Sequence, residues 1–247
     1  MQKNNRATVE SLTVVFPVYN EKEYLRGTVE KAVRILEELT SDYEIIIVDD
    51  ASDDGTGEIA EMLSHKNPRI KVIHHTANRK LGGTLKNGFK HATKKFVLYS
   101  DIDMPFDFAE IKRAVDVALG RDAGLVSVYR LNRMEDGLRR YIYSVAYNFF
   151  IRMLFGVRIK DINFSFKLIR NDILQRLALS SEGSFIDAEM LIKAHYYNTK
   201  IIQFGTRYFP RLKGSSRLSS VSVILKILQE AFAFRFRLSP YRAQDRS

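Results

Sequence analysis

Leu12-Thr13-Val14-Val15-Phe16 and Tyr43-Glu44-Ile45-Ile46-Ile47-Val48 are short runs rich in β-branched residues, each followed by polar residues and then by apolar positions at helical spacing. A strand buried on both faces reads this way, and alternation of such strands with helices implies βαβ units around a mainly parallel sheet. Further strands are expected at 70–74, 96–99 and 124–129, and helices at about 21–39, 56–65, 82–94 and 107–119. The fold class is therefore α/β, a parallel central sheet flanked by helices, of a nucleotide-binding type. A chain of 247 residues can bury one large core, so a single domain over 1–219 is expected, followed by a C-terminal segment, 220–247.

After Tyr129 the alternation stops. The run from Tyr141 to Phe155 has only Ser144, Asn148 and Arg152 as clearly polar positions, four apart, which makes one narrow polar stripe on an otherwise apolar, aromatic helix. Such a helix is either core or a membrane-surface element, and core is expected for most of it. Val221–Leu238 sets Ser222, Lys226, Gln229 and Glu230 against Val223, Ile224, Ile227, Leu228, Phe232, Phe234 and Phe236, and ends with Arg235 and Arg237. This amphipathic helix suits either an interfacial anchor or packing on the sheet. No stretch has the roughly 18 to 20 apolar residues that span a bilayer, and 1–10 is polar and lacks a signal-peptide core, so a cytoplasmic, peripheral protein is expected. Cysteine is absent, which removes disulfides and thiol nucleophiles. The formal net charge of +10 favours anionic partners, but no nucleic-acid-binding signature accompanies it, so phosphorylated substrates and anionic lipid rank above nucleic acid.

The chemistry concentrates where strands end. Phe16-Pro17-Val18-Tyr19-Asn20-Glu21 closes the first strand, with Asn20 placed to cap the helix that follows. Asp49-Asp50-Ala51-Ser52-Asp53-Asp54-Gly55-Thr56 closes the second, and carboxylates there can accept from a base N–H or a ribose hydroxyl. Asp101-Ile102-Asp103 follows Phe96–Tyr99; in an extended run residues i and i+2 point the same way, so the pair could share a hard divalent cation such as Mg²⁺. Taken singly, each could instead be an ordinary turn or helix cap, with Asp103 opening a turn before Pro105.

Together these three loops resemble the family 2 glycosyltransferases of the GT-A fold, with a Pro-x-Tyr-Asn-Glu turn, a Val-Asp-Asp-x-Ser-x-Asp-Gly-Thr loop and a DxD-type metal motif. Asn78-Arg79-Lys80-Leu81-Gly82-Gly83 and Asn87-Gly88 are similar to the family's Gly-rich segment. Within the family the chain looks most like the polyprenyl-phosphate (dolichol-phosphate) hexosyltransferases. The residues that carry this are Asp161-Ile162-Asn163-Phe164-Ser165-Phe166-Lys167, Phe185-Ile186-Asp187-Ala188-Glu189 and Arg211-Leu212-Lys213-Gly214-Ser215-Ser216-Arg217. Ser165 stands where glycine is common, Pro105 where some relatives carry Gln, and Arg217 where lysine is usual.

The resemblance implies a nucleotide diphosphate sugar held near Pro17, Tyr19, Glu21, Asp50, Lys80 and Asp101, with Mg²⁺ or Mn²⁺ at Asp103 and Asp101. Arg211 and Arg217 would neutralise the departing diphosphate, as arginine forks bind phosphate in pairs. The implied acceptor is polyprenyl phosphate, positioned by Arg130, Arg133 and Arg139, and the lack of a span leaves room for an integral membrane partner. Two alternatives stay open. One is a hydroxyl acceptor, for which Asp187 or Glu189 would be the base unless they merely compensate a helix N-terminus. The other is an inactive nucleotide-binding subunit of a membrane complex.

Overall fold

A computed structural model describes residues 9–104, 106–132, 138–209 and 221–238; of residues 139, 140 and 221–228 it describes the backbone. In chain order the elements are β1 (Leu12–Val18), α1 (Lys22–Leu39), β2 (Tyr43–Asp49), α2 (Thr56–Lys66), β3 (Ile70–His74), α3 (Lys80–His91), β4 (Phe96–Ser100), α4 (Ala109–Gly120) and β5 (Leu125–Arg130). There follow α5 (Leu138–Phe155), β6 (Phe166–Arg170), α6 (Asn171–Arg176), α7 (Ile186–Tyr196), β7 (Ile201–Thr206) and α8 (Val221–Arg237). Among the described residues one seven-stranded sheet runs in the order β3-β2-β1-β4-β6-β5-β7. It is parallel except at β6, which lies antiparallel to both β4 and β5.

The two-residue period of the strands divides the core. Leu12, Val14, Phe16, Ile45, Ile47 and Leu98 face a layer of α1, α2 and α4, where Leu25, Val29, Leu36, Leu63 and Ile111 pack. Val15, Ile46, Val48, Val97 and Tyr99 face the opposite layer, where α3, α5, α7 and α8 supply Leu85, Phe89, Ile151, Phe155, Leu191 and Phe234. Both faces are covered, which explains why the strands read as continuous apolar runs.

The early elements lie close to their expected places. α3 is displaced to Lys80–His91, because the chain must leave the helix for a buried polar cluster: Glu44 Oε1 accepts from Thr13 Oγ1 at 2.7 Å and from Thr93 N at 2.7 Å. β6 and β7 are strands beyond the point where the alternation stops. β6 carries Lys167 in the middle of its buried run, which breaks the apolar pattern.

α5 departs from the core expectation. Of its polar stripe Asn148, 4% exposed, faces inward, donating to Ser144 O and accepting from Ile162 N at 2.9 Å, while the exposed Arg152 donates twice to Ile159 O. Ile151 and Phe155 are buried, while Leu138, Ile142, Val145, Phe149 and Met153 face outward. The stripe is satisfied by the 156–162 loop, since buried polar groups need partners. α8 packs beside α5 through Phe150–Phe232 and Phe155–Phe234 ring contacts, burying Ala231, Phe234 and Leu238 and exposing Phe232 and Phe236. Among the described residues no helix is long and apolar enough to cross a membrane.

Two positions yield tests of this packing. α3 crosses β1 and β2 at Gly88, where a Cβ would stand 2.5 Å from Val15 Cγ1 and 3.1 Å from Val48 Cγ2. Gly88→Ala is expected to cost about 1–3 kcal/mol through overpacking, read in a denaturant titration as a lower midpoint with the slope unchanged. On the opposite face His74 joins β2 to α2, with Nδ1 against Asp49 Oδ2 and Nε2 against Glu61 Oε1, each at 2.9 Å. Burial pulls the His74 imidazolium down, but the hydrogen bonds to both carboxylates prevail and hold it above 6.5. The pairing is complete below that value and fades as pH rises through the elevated one. Between pH 6 and 8 the melting temperature of the wild type should fall about 1–2 °C more than that of His74→Gln.

Candidate active site

β1 lies between β2 and β4, all three parallel, so the loops that leave their carboxyl ends meet along one edge of the sheet. Chain order reverses there, with β2 and β3 on one side of β1 and β4 on the other. Ligands of open α/β sheets bind outside the strands at such a switch point.

The first two loops are cross-linked. Asn20 Nδ2 donates to Asp53 Oδ1 at 2.8 Å and Asp53 N returns a bond to Asn20 Oδ1 at 3.0 Å, while Asn20 N donates to Ser52 Oγ. Asn20 therefore does not cap α1, as its sequence position suggested; it sits in the left-handed region at φ 57°, and Glu21 takes the cap position. Asp54 serves both helices, accepting from Thr56 N at 2.9 Å and from Lys22 N at 3.3 Å. Burial works against its ionisation, but the Thr56 hydroxyl and N–H outweigh it and lower the carboxyl's pKa. Pro17, next to last in β1, pairs with Val48, and Tyr19 and Glu21 follow in the linked loop.

The adjacent acids of the second loop have different surroundings. Asp49 bonds His74 and the Ser52 N–H, a structural role. Asp50 turns toward the start of α3, where its Oδ1 accepts from Arg79 N and from His75 Nδ1, both at 2.7 Å. Lys80, the first residue of α3, is exposed with φ 61° and donates its N–H to Asn78 Oδ1. The remaining α3 N-terminus is tied down by Glu182, whose carbonyl accepts from Gly82 N at 2.9 Å and from Gly83 N at 3.3 Å.

β4 ends at Ser100, so the acidic pair is set by a turn and not by strand pleat: Met104 N donates to Asp101 O at 3.2 Å, with Ile102 buried between the two acids. Asp101 and Asp103 are both half-buried, and Asp101 Oδ2 accepts from Ser165 Oγ at 2.6 Å. The serine that replaces a common glycine thus positions the first acid. The donor set, two carboxylates on one tight turn, fits a hard oxygen-seeking cation.

Beneath the turn lies a buried ion pair. Lys167 Nζ stands 2.5 Å from Asp187 Oδ1, with both side chains within 3% of full burial, and Tyr99 OH donates to both Asp187 oxygens at 3.2 Å. Burial pushes the Asp187 carboxyl up, against the pull of Lys167 and Tyr99. Glu189 accepts from Ser180 N and Ser181 N and pairs with Lys193 at 2.7 Å; burial opposes, but the lysine and serine bonds win and lower its pKa. Arg130 closes a fork on Asp161, Nε to Oδ2 at 2.9 Å and Nη2 to Oδ1 at 3.3 Å, and lies over Phe164 and Tyr208. Arg211, Arg217, Arg133 and Pro105 lie outside the described residues, as does the side chain of Arg139. Sequence reasoning missed His75, its bond with Asn87 and the Arg130–Asp161 fork; the only local trace of the first is a histidine placed immediately after β3.

Three sequence relatives cover nearly the whole chain. A glycosyltransferase, AglD, of Haloferax volcanii is 31% identical over 87% of this chain and 35% of its own length. A dolichyl-phosphate beta-glucosyltransferase of Dictyostelium discoideum is 28% identical over 92% of this chain and 74% of its own. An undecaprenyl-phosphate 4-deoxy-4-formamido-L-arabinose transferase of Sodalis glossinidius is 28% identical over 87% and 65%. The chain thus spans about a third of the first relative and about two-thirds of the third. Two solved structures share the fold. Mycobacterium tuberculosis glucosyl-3-phosphoglycerate synthase, in complex with Mn²⁺, UDP-glucose and glycerol 3-phosphate, gives a TM-score of 0.63 at 16% identity, over 92% of this chain and 80% of that one. A Pyrobaculum calidifontis mannosyltransferase in complex with GDP-Man and Mn²⁺ gives 0.56 at 16% identity, over 94% and 77%. The fold is GT-A, and with the glycosyl transferase family 2 model matching residues 13–178, across all three strand-end loops, the chain belongs to that family.

Proposed function

We propose that this protein transfers a hexose from a nucleoside diphosphate sugar to a polyprenyl phosphate, with inversion at the anomeric carbon. The observation that carries this reading is the meeting of Asp50 and the Asp101–Asp103 turn at the switch point of the sheet, in a chain of this family. Asp50 would accept from the base, and Asp101, steadied by Ser165, from the ribose or at the edge of the ion's shell. Asp103 with Asp101 would hold Mg²⁺ or Mn²⁺, which neutralises charge on the diphosphate as it leaves. Arg211 and Arg217 are the cations of this chain suited to the same diphosphate.

Support for a lipid phosphate acceptor comes from two sides. The relatives from Dictyostelium and Sodalis carry dolichyl phosphate and undecaprenyl phosphate in their names. A phosphate monoester is already anionic near neutral pH, so the attacking oxygen needs no general base. A sugar hydroxyl would need one, and the sequence candidates are poorly suited: Asp187 is locked by Lys167, and Glu189 is 0% exposed with a lowered pKa. Arg130, Arg133 and Arg139 would position the acceptor, Arg130 with its fork set by Asp161.

The acceptor's tail places the reaction at a bilayer surface, and the outward face of α5 and α8 suits it. Leu138, Ile142, Val145, Phe149 and Met153 form one stripe at spacings of three and four, with Phe232 and Phe236 beside it on α8. Arg235 and Arg237 lie at the end of that helix, near enough to meet anionic headgroups.

With Mn²⁺ and labelled GDP-mannose, UDP-glucose or UDP-N-acetylglucosamine, the purified protein should form a hexosyl lipid from dolichyl or undecaprenyl phosphate. Asp103→Ala should lower kcat/KM by about 10²–10³-fold with little change in melting temperature; absence of product with every donor would refute the reading. In sedimentation with anionic vesicles, the double variant Phe149→Glu/Phe236→Glu should bind at least about tenfold more weakly than the wild type, since each phenylalanine contributes about 1.5–3 kcal/mol when buried. Equal binding would remove the membrane-facing role of this stripe.

A further inference from the structure

The base-binding end of the crevice contains a hydrogen-bonded relay that the transfer reaction itself does not require. The Asp50 side chain is 6% exposed and the His75 ring 4%. Asp50 Oδ1 accepts twice, from His75 Nδ1 and from Arg79 N. Asn87, on the buried side of α3, sets its amide nitrogen 2.9 Å from His75 Nε2. An amide nitrogen only donates, so Nε2 is the acceptor of that bond and the ring proton sits on Nδ1, aimed at Asp50. Among the described residues no donor meets Asp50 Oδ2. Both lone pairs of Oδ1 are engaged, and the carboxylate offers one oxygen to a ligand.

Nucleobases differ in what they present to such a group. Guanine offers N1–H and its 2-amino group side by side, a pair that a carboxylate meets best with both oxygens in parallel. Uracil offers a single N3–H between two carbonyls. One free oxygen satisfies the single donor of the uracil edge, whereas guanine leaves one of its donors without a partner in a site where a missing bond is costly.

We propose that His75, held in one tautomer by Asn87, is a positioning residue that confines Asp50 to one-oxygen recognition and so makes the site selective for uracil over guanine nucleotides. This rests on the nucleotide-sugar reading above, with Asp50 at the base. The donor class is then a uridine diphosphate sugar.

Calorimetric titration of the full chain with UDP and with GDP, each with Mn²⁺, tests it. The wild type should bind UDP at least about tenfold more tightly than GDP. His75→Ala should lose about tenfold in UDP affinity and bring the UDP-to-GDP ratio near one, while His75→Asn, whose amide nitrogen replaces Nδ1, should restore the ratio. In the transfer assay His75→Ala should raise the donor KM about tenfold with kcat within twofold, a split that general destabilisation would not give. Asn87→Leu, which frees the ring, should lower the ratio in the same direction and serves if His75→Ala does not fold. GDP binding as tight as UDP, or variants that keep the wild-type ratio, would overturn the proposal while leaving the transferase reading intact. Binding of neither nucleotide would overturn both. Selective UDP binding that His75→Ala abolishes, without any hexosyl lipid, would uphold this proposal and remove only the lipid acceptor.

Discussion

The Lys167–Asp187 pair ties β6 to α7 in the interior of the molecule. Its ammonium and carboxylate are taken almost wholly out of water, and the lysine also donates to Phe164 O at 2.8 Å. A buried pair of this kind is not a large source of net stability, because desolvation offsets most of the attraction, but losing one partner costs about 3–5 kcal/mol. The pair therefore specifies arrangement more than it adds strength. Lys167 is on β6, Asp187 is in the first turn of α7, and Tyr99, which donates to the same carboxylate, is on β4. Fixing these three elements brings Ser165 against Asp101 and sets the 180–182 segment over the start of α3. The acidic turn and the Asp50 side of the crevice are thus linked through one interaction beneath them.

Where the sequence was readable, a simple physical rule was operating alone. β1, β2 and β4 are buried on both faces, so they appear as apolar runs, and the acids Asp50, Asp101 and Asp103 stand out at their ends. β6 was hidden because Lys167 interrupts its run with a charge that only Asp187, 20 residues away, makes tolerable. The apolar run of α5 read as core, but much of it faces outward while Asn148 and Arg152 of its polar stripe bind loop N–H and carbonyl groups, which no periodicity reports. The strand-pleat argument for Asp101 and Asp103 assumed that β4 runs on, whereas the chain turns at Ser100. Asn20 has the chemistry of a helix cap, but a cross-loop carboxylate competes for it. His75 and Asn87 act on Asp50 from other elements, 25 residues from the acid in the case of His75, a distance over which local pattern carries no information.

The Asp50 side of the crevice is built of short bonds among groups on β2, β3 and α3, and the Asp101–Asp103 turn is anchored from below by Ser165. Arg133, Arg211 and Arg217, proposed to meet the acceptor and the diphosphate, follow β5 and β7 in sequence and lie outside the described residues.

β4 occupies the centre of the sheet, with β1 along one edge and β6 along the other. The first four strands are complete once Ser100 has been synthesised, yet β6 begins only at Phe166. At translation speeds of roughly 5–20 residues per second, a nascent chain would carry an open β4 edge for several seconds before its partner emerges from the ribosome. That edge is apolar, and an unpaired strand edge is a template that invites pairing with another chain. The insertion of an antiparallel strand late in the sequence therefore makes biogenesis the vulnerable stage of this molecule, and chaperone demand a property encoded by strand order.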